Sequence, residues 1–284
     1  MKILLHALII VFLILFPSDT ADTARKAMTL WATSIVPMLF PYMVFSRFLC
    51  EVLDTIRFPI VPLTAALGIL GGSPSGAVII CANQSAFSQR KLFTLCAFCG
   101  TISPMFILGS MQSWINQPAI CRRLLLIHWF SAAACAWIVW LLNHSYQETL
   151  SLKTSKTSVT HSDPIRQSVD AVFQIGGSII LYSVLAGMFG NILRPFPLLQ
   201  PLVHAVLEVS GGIHAICEST FSPETHCILL SASLGFSGFS ILSQNHAMLK
   251  PLGISMRRLT VYAVLRAGIS AILMILLNVC FPLT

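Results

Sequence analysis

The sequence predicts an all-α fold, a polytopic membrane bundle of two repeated halves built from discontinuous, Gly- and Pro-broken helices. Three observations carry that reading. Hydrophobic residues make up 56% of the 284 and charged residues only 10%, with a mean hydropathy of +0.82. Long apolar runs recur along the chain, most of them interrupted near the middle by Gly, Pro or Ser. The chain also matches itself when shifted by 135 residues. A soluble domain carries roughly 25% charged residues, and this one has too few polar groups to cover a surface in water. Most of it must face lipid or lie within a bundle that does. A soluble enzyme, a disulfide-stapled secreted domain and a nucleic-acid reader are excluded. The net charge of +7 follows membrane topology, because most of the Lys and Arg fall at segment ends.

Residues 1–30 are expected to form an N-terminal membrane span and connector. Met1 to Phe16 is one lysine followed by an almost unbroken apolar run. A signal peptide's hydrophobic core has the same length, and Ser18 to Ala24 supplies small residues of the cleavage type. A retained span is favoured, since the rest of the chain needs a membrane in any case. Residues 31–143 form the first transmembrane repeat: Trp31 to Leu49 with Pro37 and Pro41, Ile60 to Ala82 around Gly71 to Gly76, Leu92 to Met111 around Ser103-Pro104, and the continuous Leu124 to Leu142. Residues 144–168 are a polar linker within the Ser-, Thr- and Lys-rich stretch Asn143 to Asp170, which lacks periodicity. Residues 169–284 form the second repeat: Val172 to Phe189, Leu198 to Cys217 with a break at Ser210-Gly211-Gly212, His226 to Leu242 with Gly235 and Gly238, and Leu259 to Phe281.

At the offset of 135, Arg122-Arg123-Leu124 falls on Arg257-Arg258-Leu259, Leu141-Leu142-Asn143 on Leu276-Leu277-Asn278, Gly100 on Gly235, and Ser75-Gly76 on Ser210-Gly211. Two halves with matching helix breaks are the pattern of secondary transporters, whose substrate site lies where the broken helices meet. Both Arg pairs mark a helix start. The positive-inside rule would place both in the cytoplasm as a parallel repeat, whereas an odd number of crossings per half would invert it. The sequence leaves both open.

The candidate substrate-binding residues sit at the breaks: Ser73, Pro74, Ser75, Gly76, Ser103, Pro104, Glu208, Ser210, Gly211, Ser237 and Gln244. Backbone freed from a helix in hydrocarbon must line a cavity or contact protein. Gly72 to Gly76 is neither a nucleophile elbow, since Pro74 holds the central place, nor a P-loop. Two readings fit it: amides and hydroxyls facing a polar ligand beside a helix N-terminus, or a packing kink of small residues. Glu208 is an acid inside an apolar stretch, which marks a cation ligand, a proton carrier or a substrate contact. The competing reading, with His204 and His214 flanking it, is an interfacial amphipathic helix. Gln244, Asn245 and, in the first half, Gly109-Ser110 end their spans with polar groups.

No catalytic constellation, metal site or cofactor is expected. Cys96 and Cys99 form a CxxC without a second pair or a nearby His pair, and Cys81, Cys135 and Cys280 lie in apolar runs as small hydrophobes. His204, His214, His226 and His246 lack metal-site spacing. Neither half carries an ATP-binding motif.

Six segments taken in order resemble the YlbJ-like sporulation integral membrane protein family, which is related to the Gate modules of nucleoside transporters: Trp31 to Leu49, Gly72 to Ala77 (GSPSGA), Pro104 to Gly109 (PMFILG), Ile175 to Leu185 (IGGSIILYSVL), Leu207 to Ile213 (LEVSGGI) and Leu234 to Gln244 (LGFSGFSILSQ). The chain departs from the family pattern at Ser73, where a tyrosine is usual, and at Val78, where a lysine is usual. It departs again at Gly100 to Ser103, in place of an Asn-rich stretch. The resemblance implies transport, without enzymatic activity, of a small polar, anionic solute of the dipicolinate type during endospore formation. It places the protein as a multi-pass component of the cell membrane, in the outer forespore membrane. The expected partners are the lipid bilayer and the solute, with a second copy of the chain or other sporulation membrane proteins besides, and no nucleic acid. The alternative is a non-transporting scaffold or gate subunit that docks sporulation proteins through the Asn143–Asp170 stretch.

Overall fold

The computed structural model describes residues 2–55, 59–144, 163–193, 195–196 and 198–281. Most of the polar linker expected at 144–168 lies outside the described residues. The chain is helical from one end of the described region to the other. Helix α1 (Lys2–Leu15) has 14 residues, about 21 Å at 1.5 Å per residue, short of the ~30 Å hydrocarbon core. Helix α2 (Pro17–Leu30) runs without a break through a π-helical turn, Trp31–Ile35, into α3 (Val36–Thr55). The first helix long and apolar enough to cross therefore begins at Pro17, ahead of the apolar run at Trp31.

Two short helices follow, α4 (Ile60–Gly71) and α5 (Ser75–Ala82), then α6 (Gln89–Cys99), a second π turn at Phe106–Met111, α7 (Gln112–Ile115) and the 25-residue α8 (Pro118–Leu142). The remainder is α9 (Pro164–Ile192), the short pair α10 (Leu199–Leu207) and α11 (Val209–Cys217), the pair α12 (Pro223–Phe236) and α13 (Gly238–Leu249), and the 25-residue α14 (Met256–Cys280). The helix starts are written locally. The side chains of Ser88, Asp163, Ser222 and Ser255 accept N–H groups that the first turns of α6, α9, α12 and α14 leave free, and Pro opens α2, α8, α9 and α12.

Among the described residues five helical stretches are long and apolar enough to span: Pro17–Leu49, Pro118–Leu142, Pro164–Gly190, Pro223–Leu252 and Met256–Cys280. Their outward faces carry exposed Phe45, Phe130, Trp137, Leu142, Phe173 and Val279. A water-facing surface would not tolerate so continuous an apolar belt.

Helices α8 and α14 pack antiparallel. Arg123, near the start of α8, donates to the Phe281 carbonyl just past the end of α14, at 3.1 Å. Further along, the Cys135 thiol faces the Tyr262 carbonyl near the start of α14. Arg258 lies over the Phe93 ring and Arg90 over the Trp140 ring at the far end of α8. The two Arg pairs that match in sequence thus sit at opposite ends of the bundle. The short pairs also come from opposite ends. Cys81, at the end of α5, donates to the Met248 carbonyl beside the Arg258 end, whereas His214 on α11 packs edge-on to Trp114 at the Arg123 end. Helices of 8 to 12 residues reach only about halfway across before turning back.

Candidate functional site

Four helix breaks meet inside the bundle, and glycines bring them there. Gly72 has φ +63°, and a Cβ on it would lie 2.3 Å from the Ser103 nitrogen. Only glycine serves both the left-handed turn and the contact. The Ser73 N–H donates to the Thr101 carbonyl at 2.6 Å, so the break before α5 is stitched to the break after α6. In the second half, Ser237 and Gly238 adopt φ +69° and +74°, and a Cβ on Gly238 would stand 3.0 Å from the Val209 nitrogen. The break between α12 and α13 therefore rests on the break between α10 and α11. Asn245 of α13 donates from Nδ2 to the Ser73 hydroxyl at 2.9 Å, linking the two halves.

Glu208 is the extended residue between α10 and α11 (φ −134°, ψ 112°). Its carboxylate accepts the Ser210 N–H at 3.0 Å and the Gly211 N–H at 2.6 Å. It thereby N-caps α11 with an acidic side chain at the positive end of the helix. The residue is 1% exposed, so Glu208 faces inward.

Beside these breaks lies a cavity of about 60 Å³. A water needs roughly 10–15 Å³ on that measure, so the space holds a few waters or a small solute. It is lined by Ser73, Ser103, Glu208, Ser210 and Gln244 of the sequence-predicted set, together with Ser34 and Met38 of the long first span, Ser110 of the second π turn, and Ile175 and Ile179 of α9. Gln244 is 7% exposed, and neither its Oε1 nor its Nε2 has a hydrogen-bond partner. An amide left so costs about 1–3 kcal/mol. Ser75, Thr101 and Ser240 also bury hydroxyls without partners.

The other predicted residues stand behind the lining. Pro74 caps α5, and Pro104 follows Ser103 at the start of the helix that carries the second π turn. Ser75 is buried, and Gly76 and Gly68, which lie against each other, both pack on Cys99. Small residues thus seat the CxxC cysteine as a packing element. Ser237 donates to the Leu234 carbonyl. Gly211 faces a second, open cleft of about 970 Å³ at the Arg123 end, lined also by Asp22, Arg25, Gln200, His204 and His214. Glu208 lines the inner cavity and Gly211 the cleft, so the hydrogen bond between them lies between the two spaces.

Besides lining residues such as Ser34 and Met38, two buried polar residues escaped the sequence reading. Arg266, midway along α14 and 2% exposed, donates from Nε to the Gly235 carbonyl at 3.2 Å and from Nη1 to the Ala97 carbonyl at 3.1 Å. His128, midway along α8, accepts the Ile102 N–H on Nε2 at 3.1 Å. The signal for Arg266 was present: a lone arginine inside the apolar run Leu259 to Phe281, where an ionised group marks function or a buried partner.

The chain is similar to the sporulation integral membrane protein YlbJ of Bacillus subtilis (strain 168), with 24% identity over 92% of this chain and 78% of that protein. No family model matches the chain, and no solved structure matches it.

Proposed function

We propose that this YlbJ-like multi-pass membrane protein transports a small polar solute, anionic and of the dipicolinate type, in endospore formation. One observation carries the reading: the inner cavity is lined by the starts of broken helices. Ser73 precedes α5, Ser103 and Phe106 open the second π turn, and Glu208 to Ser210 open α11. The last turns of α6 and α12 contribute no lining residue. Helix starts carry partial positive charge and free N–H groups, which favour anions, and converging half-helices of this kind form transporter sites. The sporulation role rests on the similarity to YlbJ, and the division into two repeated halves on the recurring order of long helix, two broken pairs and long helix.

Glu208 sets a condition on the solute. Among the described residues no Lys or Arg side chain lines the cavity, so an anion meets the Glu208 carboxyl group there and is expected to travel with a proton or a cation. Uptake of labelled dipicolinic acid into vesicles reconstituted with purified protein tests the proposal. The expected result is flux well above that of empty vesicles and a loss of at least tenfold in Glu208→Gln, with the variant still folded by gel filtration. Wild-type vesicles no faster than empty ones would reject this solute. Normal flux in Glu208→Gln would remove the carboxylate from the site.

A further inference from the structure

Arg266 takes no part in lining the cavity, yet it touches both broken helices that stop short of it. Its guanidinium donates to Ala97, in the last turn of α6, and to Gly235, in the last turn of α12. These helices belong to different halves of the chain. Their final carbonyls are the groups that a helix cannot satisfy itself, and they carry its negative end. The planar fork of arginine is suited to two acceptors at once.

The surroundings are shaped to admit it. A Cβ on Gly235 would lie 2.7 Å from the Cα of Ala267, so glycine lets α14 lie backbone to backbone on α12 where Arg266 crosses. A Cβ on Gly100 would sit 3.2 Å from Nη1 and 2.9 Å from the Cys96 carbonyl. On α8, His128 holds Ile102 in the break after α6.

We infer that Arg266 is a positioning residue: it ties the ends of α6 and α12 to one anchor, so that the breaks following them, Gly100 to Ser103 and Ser237-Gly238, keep their spacing across the cavity. Its relevance to transport rests on the proposed function; its test does not use transport.

Amide hydrogen exchange, followed by mass spectrometry on the full chain in lipid nanodiscs, is compared for wild type, Arg266→Met and Arg266→Lys. In Arg266→Met, exchange at residues 100–103 and at 237–239 should rise at least tenfold, while α9 and the second half of α8 stay within twofold of wild type. Arg266→Lys keeps the charge for insertion but loses the fork, and should leave at least one break exchanging several-fold faster. Uniformly faster exchange along the chain, or a wild-type pattern at both breaks in Arg266→Lys, overturns the inference. Should Arg266→Met fail to fold, Arg266→Lys decides alone. If wild type moves no dipicolinate but the two breaks respond as expected, the transport reading falls and the anchor stands; the converse result removes the anchor only.

Discussion

Gly212→Ala probes the hairpin that carries Glu208. A Cβ on Gly212 would lie 2.1 Å from the Cα and 2.2 Å from the nitrogen of Ala205. Carbon atoms rest about 3.5–4.0 Å apart, so α10 and α11 would have to separate by more than about 1 Å. The obstructing atoms are backbone and cannot rotate aside, which puts the strain at the upper end of the ~1–3 kcal/mol typical of overpacking. Alanine recovers about 0.5–1 kcal/mol of helix propensity over glycine, leaving a net loss of about 2 kcal/mol. At about 2–4 °C per kcal/mol for a chain of this size, the midpoint of thermal unfolding should fall by about 4–8 °C. Gly268→Ala is the control, because nothing lies within 4 Å of a Cβ there; it should leave the midpoint unchanged or raise it by a few degrees. The assay is tryptophan fluorescence of both purified variants in detergent during heating. Equal midpoints for the two would refute the backbone contact between α10 and α11, and with it the placement of the Glu208 cap.

Three further outcomes follow from the same geometry. Gln244→Leu replaces an amide that has no partner by an apolar side chain of similar length, so its stability should stay within about 0.5 kcal/mol of wild type or rise, while dipicolinate flux falls at least tenfold; a stability loss with intact flux would mean that the amide serves the fold. Ser73→Ala removes the acceptor for Asn245 and should cost about 1 kcal/mol, with no additional loss when Asn245→Ala is combined with it; additive losses in that cycle would show that the hydrogen bond is absent in the membrane. Among the described residues one end of the bundle carries Arg47, Arg90, Lys91, Arg166, Lys250, Arg257 and Arg258, and the other Arg25, Lys26, Arg122 and Arg123. The positive-inside rule puts the first end in the cytoplasm. An impermeant maleimide added to intact cells carrying a cysteine-free background should label Arg122→Cys and spare Arg257→Cys; labelling of both from one side would contradict the antiparallel placement of α8 and α14.

Composition and interruption were enough to read the membrane class and the positions of the breaks. Gly72, Gly238 and Glu208 announce themselves because each is costly in an unbroken apolar helix. Crossing direction was not readable in the same way. It depends on whether α4–α5 and α10–α11 cross or turn back, and an apolar run of some 20 residues looks the same in both cases. The close approach of Gly68 to Gly76 and the backbone contact at Gly212 show that they turn back. The π turns that bring Ser34 and Ser110 to the cavity were hidden for another reason. One extra residue in a helical turn changes hydrogen bonding without changing composition. Arg266 was passed over because a window average absorbs one arginine among apolar neighbours, although that one residue is where the cost is concentrated.

Three of the broken helices have an end that meets a side chain of opposite sign. The negative ends of α6 and α12 are answered together by the guanidinium of Arg266, away from the cavity. The positive end of α11 is answered by the Glu208 carboxylate. The starts of α5 and of the second π turn face the cavity next to Ser73 and Ser103 with no acidic side chain of their own. A solute placed there meets positive helix ends on the first-half side and a carboxylate on the second. An anionic group is therefore best seated toward Ser73 and Ser103, and any accompanying cation or proton toward Glu208. This polarity yields a sharper test than loss of flux. Ser103→Asp puts a carboxylate on the side the anion is to occupy and should abolish dipicolinate flux, whereas Ser210→Asn, a neutral change beside Glu208, should weaken it severalfold at most. Equal sensitivity at the two positions would mean that the cavity does not distinguish its sides, and the anion reading would lose its electrostatic basis.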